Sequence, residues 1–557
     1  MKKFFILTLA LLVVLPSMPG NFGTLAQEVS DLKLVVVAAD FSDAPHKSEF
    51  SNMCNELFSE SSQSLNRFYK EVSSGTIKVS QGSFLKGGWV RMPKPITYYA
   101  QDNEESFDIR CHEMIDTLMH EAAKSGLDFD EYIKSWSQPP CVCIVVSGGC
   151  EGYTNFPKND GFWPHMSMSS VTIDGKTIEF LYVLVCEEQS VNSTASQVMA
   201  HEFGHIMGLA DLYDYDCGGP FKEGDCGYPV TCFDIMAARH KGLGMSGFHR
   251  ERMGFLRPVV VGQSGEYDIP PITTNANGSY LVVPIEGTKE YLALEYRKKE
   301  SIDAFWDGIP SEGLLIYKID DSVSYRHRFN SGDKNNHYAV EILNPGKTPW
   351  HENACYSIES GHIVASPKTD PSTLPFDKNY TKIVTVEVLS KLGSTLKIKI
   401  TIAPKENVFF SMDKNWAVTG DLHKTCLRVK MFNKGSNPVV LDCDPQVFGE
   451  KNVKLNPDDG KEISLVLSYP KNKLGERLVE KSFSVESENQ TFFFKVLLRN
   501  AYFIMDYNSN GVIEEEDLLT IFSSLNTKEM KYDLDGDGVV GYGDFIVASR
   551  YIGVKYK

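Results

Sequence analysis

Short apolar runs and helical periodicities alternate through the first half of the chain. Residues 32–39 (LKLVVVAA), 141–147 (CVCIVVS) and 180–186 (FLYVLVC) are almost continuously apolar and rich in β-branched side chains. That is the pattern of strands covered on both faces. Between the first two, Phe58, Leu65, Phe68, Tyr69 and Val72 recur near helical spacing until Ser73-Ser74-Gly75. The spacing predicts one helix over 58–72, ended by that cluster. Another helix is predicted after Ser193-Thr194, carrying His201. Strands interleaved with helices predict an α/β layer.

Beyond about Phe255 the texture changes to strand and turn, as in YLVVPIEG from Tyr280, YLALEYR from Tyr291 and GLLIYKID from Gly313. Between 401 and 498 it is purely β, with CLRVKMF, ISLVLSY and FFFKVLL separated by Asn, Gly, Pro and Lys turns. About a hundred residues of this kind predict a small sandwich of immunoglobulin type. From Asn500 an Asp/Asn/Gly-rich loop followed by an apolar helix occurs twice. The expected organisation is therefore multidomain. A signal peptide at 1–26 precedes an α/β (α+β) catalytic domain at 27–260 and a β-rich extension at 261–404. A sandwich at 405–499 and a small all-α module at 500–557 follow.

A chain of 557 residues is too long for one core, and 42% apolar with 23% charged residues is ordinary globular usage. The 73 acidic against 56 basic side chains leave a formal charge of −17, which excludes nucleic acid as the main partner. Lys2-Lys3, an apolar run over 4–15, Pro16 and Thr24-Leu25-Ala26 read as an export signal cleaved before Gln27. No later stretch is long and apolar enough to span a bilayer, so the expected mature protein is secreted without a transmembrane segment. Twelve cysteines suit an oxidising compartment. Cys426 is expected to pair with Cys443, and Cys217, Cys226 and Cys232 to staple a Gly-rich segment.

The sharpest chemistry lies in HEFGHIMGLAD, residues 201–211. Positions i and i+4 share a helical face, so His201 and His205 can grip one ion while Glu202 faces its open side. Gly208 lets the chain leave the helix, and Asp211 can return as a third ligand. Two nitrogens, one carboxylate and an open position describe a catalytic zinc shell, with Glu202 as general base toward the attacking water. The donor set alone also resembles the two-His, one-carboxylate triad of iron oxygenases. A third ligand from the downstream segment GFHRERMGF, Glu251, is the alternative to Asp211. Farther on, Met236 in FDIMA looks like the methionine turn that floors the zinc in metzincin peptidases.

HEFGHIMGLADLYD followed by CFDIMA resembles the immune inhibitor A family of secreted bacterial metallopeptidases. So do LVVVAADFSDAP, SLNRFYKEVSSGTIKV, Trp163-Pro164-His165, YLALEYRKKE and GLLIYKID, a resemblance over roughly residues 31–345. It implies a metzincin-like catalytic fold, endopeptidase action on proteins, His201, His205 and Asp211 as ligands of one zinc, and Glu202 as the base. Family members usually carry a propeptide, whereas fewer than ten residues separate the cleavage site from the first strand here. His165 and His240 are the candidates for stabilising the oxyanion.

In the tail, Asp506, Asn508, Asn510, Gly511 and Asp517 stand at positions 1, 3, 5, 6 and 12 of a loop. Asp533, Asp535, Asp537, Gly538 and Asp544 repeat the set. This is the EF-hand calcium pattern, with Val512 and Val539 offering backbone carbonyls, so two calcium ions are expected. Ile513 and Val540 at position 8 are expected to pair the loops. Leu518, Leu519, Phe522 and Leu525, then Phe545, Ile546 and Ile552, are expected to form the helices' apolar faces. The duplicated loop and helix, with DFIVASRYIG after the second loop, resembles a bacterial dockerin module. That implies docking onto a cohesin-bearing scaffold protein, and retention at the cell surface or in an extracellular complex. The contrasting function is a catalytically inactive peptidase-fold adhesin or scaffold-binding protein.

Overall fold

Strand β1 (Ser30–Asp40) grows from the first apolar run, and its successive side chains enter two different cores. Leu34, Val36 and Ala38 belong to one buried cluster, and Val35, Val37 and Ala39 to another. A strand apolar on both sides requires cover on both faces of its sheet. That sheet has the order β2-β1-β3-β5-β4, with β2 (Ile77–Arg91), β3 (Cys141–Gly149), β4 (His165–Ile173) and β5 (Lys176–Glu188). The β1–β2, β1–β3 and β3–β5 pairs are parallel. The edge strand β4 runs antiparallel to β5, which it joins through Asp174-Gly175. One face is covered by Phe68 and Tyr69 of the Leu65–Val72 helix and by Met199, Ala200 and Phe203 of the Ala195–Ile206 helix. The other is covered by Met114, Ile115, Leu118 and Met119 of the Cys111–Lys124 helix.

This computed structural model describes residues 30–555, apart from 62, 103–107, 128–140, 151–160, 190–192, 214–228, 238–243, 324–336, 348–350, 407, 413–415, 421–423, 436, 474–475, 477, 488–489, 526, 528, 530–531 and 535–538. The export signal, Cys217, Cys226, His240, Asp535 and Asp537 lie outside the described residues, as does the side chain of Cys426. Cys443 and Cys232 are buried thiols.

The helix expected over 58–72 is two helices, Phe50–Phe58 and Leu65–Val72. Ser64 is the reason: its hydroxyl accepts the Arg67 N–H at 3.1 Å and starts a new helix after the serine-rich break. The second helix is then tied to the Ala195–Ile206 helix by the Tyr69 hydroxyl, which donates to the Ala200 carbonyl at 2.7 Å.

The β-rich extension forms two further sheets. One is β11-β10-β9-β8-β6, with β6 (Val259–Val260), β8 (Tyr280–Pro284), β9 (Glu290–Arg297), β10 (Gly313–Asp320) and β11 (Val340–Ile342). The other is β12-β13-β14-β7, with β7 (Gly265–Ile269), β12 (Val364–Ala365), β13 (Lys382–Val388) and β14 (Leu396–Pro404). The chain is thus mixed α/β, β-rich and divided into two compact units. The first holds the residues through Ala365 with Thr373–Tyr380 and Val384–Ile402; the second holds Ser366–Ser372, Thr381–Ile383 and Ala403–Lys557. Among the described residues no helix is long and apolar enough to cross a membrane.

In the second unit a three-stranded sheet, β15-β17-β20, and a five-stranded sheet, β16-β22-β21-β18-β19, share one apolar cluster. Here β15 is Val408–Met412, β16 Trp416–Thr419, β17 Thr425–Asn433 and β18 Val439–Asp442. The remaining strands are β19 (Asn452–Leu455), β20 (Gly460–Leu467), β21 (Leu478–Glu486) and β22 (Thr491–Asn500). Asn500 ends β22 and caps the Ala501–Met505 helix by accepting the Tyr502 N–H at 3.2 Å, so sandwich and tail are continuous. Their cores touch too: Val418 of β16 clusters with Ala501, Met505, Ile521 and Tyr551.

Candidate metal centre

The Ala195–Ile206 helix starts where Thr194 Oγ1 accepts the Gln197 N–H at 3.2 Å. It ends at Gly208, whose φ of 89° is left-handed and turns the chain back on itself. Leu209 N–H then bonds the Gly204 carbonyl at 3.0 Å, and three residues after the turn Asp211 faces both histidines. Its Oδ1 lies 3.1 Å from His201 Nε2 and its Oδ2 3.4 Å from His205 Nε2. Among the described residues this is the one group of three or more His, Cys, Asp or Glu close enough to hold a metal ion, with ligand atoms within 4.8 Å of one another. Glu251 is not in it; the charges it feels are those of Arg252 and Asp321.

The histidine tautomers follow from their other nitrogens. His201 Nδ1 donates to the Ile235 carbonyl at 2.7 Å, and His205 Nδ1 donates to the Leu209 carbonyl at 2.9 Å. Each Nε2 is therefore left with its lone pair pointing at a buried carboxylate. Three acceptors facing each other need a cation between them. Burial disfavours a charged His201, yet the hydrogen bond and charge of Asp211, with Glu202, hold its pKa up to about 9. A proton answers the same demand that a divalent ion would meet better. The donor set fits zinc and equally the other borderline divalent metals.

Beneath the rings, Met236 is fully buried and packs against Gly204, the helical residue between the two histidines. Its carbonyl accepts the Leu212 N–H at 2.9 Å, so the 234–236 loop holds the chain on either side of the ligands. Glu202 is buried beside the pair, and its charge acts on both His201 and His165. His165 opens β4 with both nitrogens engaged: Nδ1 donates to the Trp163 carbonyl at 2.7 Å, and Nε2 accepts from the Tyr182 hydroxyl at 2.9 Å. Burial depresses its pKa. A neutral His165 has no N–H left for an oxyanion in this arrangement.

The tail shows its repeat in hydrogen bonds. Asp517, at position 12 of the first loop, accepts the N–H of Tyr507 at 2.8 Å and of Glu514 at 2.9 Å. Asp544, at position 12 of the second, accepts those of Leu534 and of Gly541, the latter at 2.7 Å. Asp506 accepts from Asn510 and Gly511 at 3.0 and 2.8 Å. Asp506 and Asp517 of the first loop and Asp533 and Asp544 of the second are buried. Within the first loop Asn508 Oδ1 accepts the Asn510 N–H at 3.1 Å and Asn510 Oδ1 accepts the Val512 N–H at 2.8 Å, and Val539 of the second loop is exposed.

Two expectations for the tail are corrected. Ile513 does not pair with Val540: its N–H bonds the Val554 carbonyl at 3.2 Å, while the Val540 N–H bonds Thr527 at 2.9 Å. The chain returning after the last helix takes the place of the second loop. The buried helical face is also shifted in part, although Leu518 is inside as expected and Phe545 packs against the cluster. Leu518, Ile521, Val547 and Ala548 are inside, whereas Leu519, Phe522 and Ile546 are 64%, 51% and 54% exposed. Leu518 and Ile521 stand at i and i+3 on one helix, and Val547 and Ala548 are neighbours on the other.

The residues that sequence spacing missed are Asp234, His249 and Arg297, which hold the methionine loop from behind. Only the position of Asp234 just ahead of Ile235-Met236 signals it. No protein-family model matches the chain, and no curated protein matches it.

Proposed function

We propose that this protein is a secreted, zinc-dependent endopeptidase. The observation that carries the reading is the meeting of two Nε2 lone pairs and the Asp211 carboxylate next to a buried Glu202. Zinc held by His201, His205 and Asp211 would supply Lewis-acid polarisation of the scissile carbonyl and acidify the attacking water. Glu202 would take the proton from that water and hand it to the leaving amine. The histidines contribute through their fixed tautomers, which keep Nε2 aimed at the ion in the absence of substrate. Strand β4 ends its sheet among the described residues and lies beside the helix, and in this reading an extended peptide adds there as a further antiparallel strand.

The tail serves in this reading as a calcium-loaded, dockerin-like module for a cohesin-bearing scaffold protein. Its four buried carboxylates support the calcium, and the exposed Leu519, Phe522 and Ile546 support a docking face. Incubation of the purified chain with casein, with and without a zinc chelator, tests the enzyme reading. Chelator-sensitive release of peptides, with about one zinc per chain by elemental analysis, is the expected result. A metal-loaded chain inert toward unfolded protein substrates would point instead to an inactive binding protein, and iron in place of zinc to oxygenase chemistry.

A further inference from the structure

Behind the ligands lies a layer of buried polar groups that the proposed chemistry does not use. Asp234 is fully buried, and its carboxylate accepts hydrogen bonds from several sides. Oδ1 takes the Met236 N–H at 2.8 Å and His249 Nδ1 at 3.0 Å. Oδ2 takes the Ser246 N–H at 2.9 Å and the Ser246 hydroxyl. His249 is itself fully buried, and its Nε2 has no hydrogen-bond partner among the described residues, so its polar capacity goes to Asp234. One residue upstream, the Phe233 carbonyl accepts Arg297 Nη1 at 2.7 Å. Arg297 is in turn gripped by Asp303 at 2.8 and 2.7 Å and by Glu295 at 2.8 Å.

The two residues that follow Asp234 each reach the metal centre through a carbonyl. Ile235 O holds His201 Nδ1 at 2.7 Å, and Met236 O holds the Leu212 N–H, next to Asp211, at 2.9 Å. The Met236 N–H that Asp234 accepts and the Ile235 carbonyl that holds His201 belong to one planar peptide, so a shift of Asp234 is felt at His201, and the Met236 carbonyl that holds Leu212 lies one residue further on. We propose that Asp234, braced by His249 and Ser246, is a positioning residue for the metal centre, fixing the tautomer and orientation of His201 and the place of Asp211. A shell of this kind around the ligands commonly governs metal affinity. The proposal rests on the metal-site reading above.

The test uses the full chain, with zinc affinity measured by competition with a chromophoric chelator and site geometry read from the visible absorption of the cobalt-substituted protein. Asp234→Asn keeps the shape but turns one acceptor into a donor facing Ser246. It should weaken zinc binding about 10–100-fold and shift the cobalt bands. Ser246→Ala, which removes one of the hydrogen bonds to Asp234 and the cap bond that the Ser246 hydroxyl accepts from the His249 N–H at 3.3 Å, should act in the same direction and less, and it carries the test if the first variant is insoluble. Leu118→Ala, in the core on the opposite face of the sheet, is the control for a mere loss of stability. Unchanged zinc affinity and cobalt spectrum in both loop variants would overturn the proposal, and so would an equal change in Leu118→Ala. A wild-type chain that binds neither metal would reject the metal-site reading itself, before any variant is compared.

Discussion

The sulfur of Met236 occupies the space that a side chain at position 204 would need. A Cβ on Gly204 would lie 2.4 Å from Met236 Sδ and 3.3 Å from the Tyr69 hydroxyl oxygen. The glycine between the two histidines is therefore what lets the methionine loop rise under the helix. On an open helix, Gly→Ala would gain about 1 kcal/mol. Here Gly204→Ala should instead cost about 1–3 kcal/mol through overpacking, seen as a lower thermal midpoint. Adding Met236→Ala should recover part of that loss. Strictly additive effects of the two substitutions would show that the contact is unimportant.

Glu202→Ala tests the base. Zinc content and thermal midpoint should stay near wild type while casein hydrolysis falls by about 10²–10⁴. Retention of the wild-type rate would assign the proton transfer elsewhere.

The third ligand is tested by comparing two carboxylates. Asp211→Ala removes the group 3.1 and 3.4 Å from the two Nε2 atoms and should lower both zinc content and activity. Glu251→Ala should leave zinc content at the wild-type value. The reverse order in elemental analysis would move the ligand to the Gly247–Arg252 helix.

Acid should destabilise the first unit through His351. Burial depresses its pKa from 6.5 to about 4, and its Nδ1 is bonded to Thr231 Oγ1 at 2.7 Å. The unfolded chain takes up the proton near 6.5 and the folded chain only near 4. The stability from a neutral His351 is thus complete above about pH 6.5, declines as pH falls toward 4, and changes no further below that. Its full size is about 3 kcal/mol. His351→Asn suits the left-handed φ of 55° and should flatten the unfolding midpoint between pH 7 and 4. An unchanged slope would mean that other groups carry the acid sensitivity.

Calcium should act on the tail within the second unit. Titrating it into the full chain should raise the midpoint of that unit's unfolding by mass action. Asp506→Ala with Asp533→Ala should abolish the rise while leaving casein hydrolysis intact. A calcium shift that survives the double substitution would place the ion outside these loops.

What could be read from the sequence is what short-range geometry controls. The 3.6-residue period puts His201 and His205 on one face, a left-handed glycine at 208 returns the chain, and Asp211 then lies within reach. The same logic located β1, β3 and β5. Where a local signal competed with a pattern, the sequence misled: Ser64 as a cap divides the helix expected over 58–72. The sequence could not say which carbonyls fix the imidazoles, that Asp234 would meet His249, or that the Phe233 carbonyl would meet Arg297. Nor could it choose between the two apolar faces of the tail helices. Those pairings join residues far apart along the chain, and they exist only because sheets and helices bring buried polar groups to places where each must find a partner.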